Sequence, residues 1–161
     1  MKKVAGIVVM LALFGMMAGS AGAAAKGMGL GLGINRADAR ITLDDKSAVD
    51  GYVGFNNMGN SNYSQTDFTI GGYYMMKMVN AKPADLHWLG GAEIALTTGD
   101  GPKTTQISLF GGIGSEYFLP GTENMSIEVN AGLKFTNMSG DLEGHMFGLD
   151  SLNGVTFRYY F

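Results

Sequence analysis

Cysteine is missing from this chain, and proline occurs only three times in 161 residues. Without cysteine no disulfide can hold the fold together, so a packed interior, a membrane, or both must supply the stability. Two histidines and no thiolate leave a transition-metal site almost without ligands, and no cofactor is expected. A net charge of −3, with no interleaving of basic and aromatic residues, excludes nucleic acid as a partner. Past residue 25 no uncharged apolar stretch approaches the roughly 18 residues of a membrane-spanning helix, so helical spans are excluded. The Gly-rich stretches at residues 99–101 and 111–114 lack the spacing and the following helix of phosphate or dinucleotide loops. What is plentiful is glycine, 26 residues, within a chain that is 46% hydrophobic and therefore too apolar for disorder.

The N-terminus carries Lys2 and Lys3, an uncharged run from Val4 to Met17, and small residues ending in Ala23-Ala24-Ala25. This order predicts a cleaved secretory signal peptide over residues 1–25 and a single mature domain over 26–161. No cysteine follows the apolar run, which excludes lipid modification of the mature N-terminus.

Alternation with period two dominates the mature chain. In Met125-Ser126-Ile127-Glu128-Val129-Asn130-Ala131-Gly132-Leu133-Lys134-Phe135-Thr136 every odd residue is apolar and every even one is polar or glycine. Successive strand side chains point to opposite faces, so this is a strand with one apolar and one polar face. The same period predicts eight strands near residues 28–35, 38–44, 48–56, 66–78, 86–97, 105–118, 125–136 and 153–161, with Tyr73, Met75 and Phe110 as apolar exceptions on the polar face. Clusters of Gly, Pro, Asn and Asp separate them, the longest over residues 137–152. Eight strands of this kind predict an all-β, antiparallel up-and-down barrel that crosses a membrane.

Alternation alone does not say which face looks inward. The polar face carries Arg40, Asp50, Asp67, Lys77, Glu93, Glu116, Glu128, Lys134 and Arg158, nearly balanced in sign and interspersed with glycines. Opposite charges in a narrow lumen can pair, and an eight-stranded barrel has room only for its own side chains. Facing lipid, each lysine would instead cost roughly 2–4 kcal/mol at mid-depth. The charges are therefore expected inside as a network, with Glu116 and Glu128 as neighbours held by Arg158, Lys134 or Lys77. Tyr63, Tyr74, Trp88, Tyr117, Phe135 and Tyr159 are expected outside, near the interfaces, and His87 as an interfacial polar residue.

The chain stops on an aromatic strand, Phe157-x-Tyr159-x-Phe161. In this it resembles the small bacterial outer-membrane β-barrels, the OmpX-like and OmpA transmembrane-domain-like proteins. The resemblance implies an outer-membrane location, contact with outer-membrane lipids, and recognition of Phe157, Tyr159 and Phe161 by the barrel-assembly machinery. It further implies a structural or surface-interaction role, with an extracellular partner reached through the outer loops. A narrow solute conduit, a lipid-modifying enzyme and a soluble lipocalin-like binding barrel stay open as alternatives. Residues 137–146 hold the one collection of Ser, His and carboxylates, but Thr136-Asn137-Met138-Ser139 lacks the histidine of the His-x-Ser-Asn motif of PagL-type lipid A deacylases. No catalytic residue is expected.

Overall fold

The computed structural model of the chain describes residues 27–60, 63–81, 83–122, 124–152 and 154–161. The expected signal peptide and the Tyr63 side chain lie outside the described residues. The strands are β1 (Met28–Gly33), β2 (Arg36–Thr42), β3 (Ser47–Asn60), β4 (Tyr63–Ala81), β5 (Ala84–Gly99), β6 (Thr104–Phe118), β7 (Met125–Gly140), β8 (Gly144–Asp150) and β9 (Val155–Tyr160). Each strand from β1 to β7 pairs antiparallel with the next, and β9 returns to β1, so the sheet closes. Among the described residues nine strands make eight staves, because β8 and β9 share one position. Residues 132–138 of β7 pair with β8, and residues 125–129 pair with β9.

The strand expected at 153–161 is thus β9, but residues 137–152 are not a loop. β7 runs on to Gly140 and the chain returns as β8, with Asn137 opposite His145. The reason this strand is silent in the sequence is physical: nearly every residue of β8 is exposed, so neither face is selected to be apolar. The β3–β4 hairpin likewise rises above its expected ends. By contrast β1 and β2 meet early, in a turn where Asn35 takes φ 58°, a left-handed conformation that asparagine tolerates.

Burial assigns the faces. Val129, Leu133 and Phe135 are 47%, 48% and 44% exposed, whereas Glu128 and Asn130, on either side of Val129, are buried. The outside is apolar around the barrel. Tyr74 and Trp88 meet edge to face at 5.9 Å, and Tyr159 meets Phe161 at 5.2 Å. With Tyr117 they ring the end that carries both described termini. Tyr73, Met75 and Phe110 are inside, where with Tyr52, Leu89 and Leu152 they form an apolar layer across the lumen. Leu152, just past β8, belongs to that layer, so the segment between β8 and β9 dips into the barrel.

Gly112 on β6 and Gly132 on β7 are register partners and leave no room for a side chain between the two staves. A β-carbon on Gly112 would lie 2.7 Å from the Cα of Gly132, and one on Gly132 would lie 2.6 Å from the Cα of Gly112. Both obstacles are backbone, which cannot swing away. Gly112→Val should therefore force the staves apart and cost roughly 1–3 kcal/mol. Gly148→Ala, with nothing within 4 Å of the added carbon, should be neutral. The temperature at which the compact band is lost on unheated gels measures this; equal behaviour of the two variants would refute the close approach.

Candidate functional site

Arg40 and Arg158 organise the middle of the lumen. Arg40, on β2, faces Asp50, its register partner on β3, and grips it with two bonds, Nε to Oδ1 at 2.6 Å and Nη2 to Oδ2 at 2.8 Å. Its remaining donors reach Glu116 at 2.9 Å, Glu128 at 2.5 Å and the Tyr160 hydroxyl at 3.1 Å. Arg158, on β9, donates to Asp38 and Asp50, both at 2.8 Å, and to Glu128. Neutral groups complete the carboxylates. Tyr73 and Asn130 donate to Glu128 at 3.1 and 2.6 Å, while Ser126 and Tyr160 donate to Glu116 at 2.5 and 2.6 Å.

All four acids and both arginines are at most 2% exposed. Taking an ion out of water costs several kcal/mol, offset only by well-aligned partners, and each charge here has at least one. β1 contributes no charge but makes the space. A β-carbon on Gly29 would sit 2.8 Å from Arg158 Cδ, and one on Gly31 would sit 2.8 Å from Asp38 Cγ. The unbroken glycine face of β1 is the imprint of long side chains on both neighbouring strands.

The remaining expected lumen residues sit apart from this centre. Lys134 pairs with Glu93 at 2.5 Å and lies 3.6 Å from Asp150, and Tyr52 donates to Glu93 at 2.6 Å. At the other end Lys77 meets Asp85 at 2.6 Å. Asp67 accepts from Thr97 at 2.8 Å. Glu116 and Glu128 are direct register partners, as their shared phase implies, but Arg40 and Arg158 hold them, not Lys134 or Lys77.

His87 corrects the sequence reading. It is fully buried in the lumen, with Nε2 3.0 Å from Asn130 Oδ1 and 3.8 Å from Glu128, rather than at an interface. Asp38, Tyr73, Asn130 and Tyr160 were absent from the expected network. Asp38 and Asn130 had a visible signal, two residues from Arg40 and Glu128 on the same phase. In the outer hairpin the His145 ring stacks 6.4 Å from Phe135, and the Ser139 hydroxyl contacts the Thr105 carbonyl at 3.5 Å.

Two cavities lie on either side of the central cluster. The upper one, about 280 Å³, is bounded by Arg36, Tyr52, Glu93, Phe110 and Lys134. The lower one, about 190 Å³, is bounded by Arg40, Lys46, Met75, Lys77 and Tyr160. Arg158→Leu leaves buried carboxylates without their cation and should cost about 3–5 kcal/mol. Asp67→Asn, which keeps an acceptor for Thr97, should cost no more than about 1 kcal/mol. Urea unfolding of the refolded protein measures both, and similar losses would refute the central cluster's role.

Comparison with known proteins is consistent with this architecture. No protein-family model and no curated protein matches the chain. Among solved structures it is similar to the crystal structure of Neisserial surface protein A, with a TM-score of 0.55 and 15% sequence identity over 84% of this chain and 92% of that one. At that identity the likeness is one of fold: a small closed antiparallel barrel, here of eight staves.

Proposed function

We propose that this chain is an integral barrel of a bacterial outer membrane, sealed along its axis, that acts through its outer surface as a structural or partner-contacting protein. The observation that carries this reading is the apolar belt outside a lumen whose charges pair with one another. In water each large apolar side chain of that belt forfeits roughly 1.5–3 kcal/mol relative to burial, whereas lipid removes the penalty. A closed barrel is also one of the two backbone forms that leave no unpaired polar groups in hydrocarbon.

The aromatic group of Tyr74, Trp88, Tyr117 and Tyr159 fits an interfacial girdle. Phe157, Tyr159 and Phe161 are exposed on the outward phase, which suits contact with outer-membrane lipids and recognition by the barrel-assembly machinery during insertion. The long hairpins β3–β4, β5–β6 and β7–β8 rise at the opposite end and are the surface offered to an extracellular partner. The name of the structural neighbour, a surface protein, is in keeping with that role. The apolar layer of Tyr73, Leu89, Phe110 and Leu152 lies across the axis, which opposes conduction.

The protein should sediment with outer membranes and require detergent for release; release by osmotic shock would overturn the membrane reading. In planar bilayers it should give no discrete conductance steps, and steady steps would favour the conduit instead. Lipid A mass spectra should be unchanged by overproduction. A newly acylated or deacylated species would instead reveal a lipid-modifying enzyme.

A further inference from the structure

The barrel wall is incomplete on one side. β1 and β2 end at the Ile34–Asn35 turn, while β3 continues to Asn60 and β8 stands beside the upper half of β7. Past the bond from Phe55 N–H to the Asn35 carbonyl, 2.9 Å, the described residues give upper β3 no neighbour on that side. Among the described residues β8 pairs with β7 alone. Above the turn, the two staves formed by β1 and β2 are missing between β3 and β8. The upper cavity reaches this gap, since Ile34, Asn35, Phe55, Asp150 and Ser151 all border it.

Inside the gap is a cation without a full partner. The Arg36 side chain is 8% exposed, and its Nε and Nη2 are buried with no hydrogen bond. The nearest carboxylate, Asp38, is 3.7 Å from Nη2, beyond hydrogen-bond reach. The guanidinium lies 3.8 Å over the Tyr52 ring, which fixes its plane. Nε and Nη2 form one edge of the guanidinium fork, with the spacing of two oxygens of a single phosphate or carboxylate. The cavity's carboxylates are engaged: Glu93 by Lys134 and Tyr52, Asp67 by Thr97, and Asp150 faces Lys134 at 3.6 Å. At about 280 Å³ the cavity far exceeds the roughly 30 Å³ share of one water. The rim carries some of the most exposed apolar side chains of the described residues, Leu149, Ile34 and Phe147 at 88%, 80% and 69%, because the staves beside them are missing.

We propose that the gap admits an amphiphile from the surrounding lipid, its phosphate head held by the Nε–Nη2 edge of Arg36 and its hydrocarbon chain lying against Ile34, Phe147 and Leu149. This rests on the membrane reading above. The binding test is made in micelles and the membrane reading is tested by fractionation, so the two can fail separately.

The full refolded chain in neutral maltoside micelles is titrated with dodecyl phosphate. The wild type should bind it saturably, near one to one, and the Arg36 Nε–H resonance should shift. Arg36→Gln should weaken binding at least about tenfold, the scale of a lost charge-assisted pair. Lys103→Gln, at an exposed cation of the β5–β6 turn, should not change it. Inorganic phosphate and dodecanol should each compete poorly. Equal affinity for wild type and Arg36→Gln, or an unmoved Arg36 resonance, overturns the proposal and leaves water as the occupant. Full competition by inorganic phosphate would mean a free-anion site, and full competition by dodecanol an apolar groove alone; either overturns it. Should Arg36→Gln fail to refold, the wild-type resonance decides.

Discussion

The centre of this barrel is too narrow to hydrate the charges it contains, so those charges must be neutralised by other side chains. Arg40 and Arg158 meet that constraint by holding acids from several staves at once. Arg158 is the more consequential for topology, because it sits on the last stave and bonds acids on β2 and β3. Those contacts pass over the glycine face of β1 and so link the end of the chain to its beginning. The same ionic cluster that is expensive to bury therefore favours closure over an open sheet.

Height is distributed unevenly around the ring. β3 to β7 are 14 to 19 residues long, whereas a tilted membrane strand needs roughly 9–11, so these staves extend past the apolar belt. β1 and β2 have six and seven residues and stop low. A tall wall with one short stave pair has a side entrance, and the chain sets there a buried arginine whose fork is open. The central cluster and the apolar layer beneath Leu152 separate that entrance from the lower cavity. Access from one side without passage through the axis is what this arrangement permits.

Much of the fold was legible because a barrel expresses its geometry as alternation. β7 is the clearest case: the outward phase of Val129, Leu133 and Phe135 and the inward phase of Glu128 and Lys134 follow from period two once the sign of the faces is known. β8 was illegible for the complementary reason, since a strand exposed on both faces has no contrast to display. His87 lies near a strand end, which suggests an interface, while its odd phase, shared with Glu93, already points inward. Tyr73, Met75 and Phe110 looked like flaws in a polar face, yet an interior holding both an ionic cluster and an apolar layer needs side chains of both kinds.

Local pattern alone determined that strands form, which residues share a face, and that charges cannot meet lipid, because these depend only on the two-residue period and on transfer free energies. Which acid meets which arginine was decided by register and closure. Glu128 and Arg158 are 30 residues apart and Asp50 and Arg158 are 108 apart, distances over which no sequence period carries information. The gap beside Arg36 was decided in the same way: closure brings β8, far along the chain, to the other side of the short β1–β2 hairpin from the tall β3.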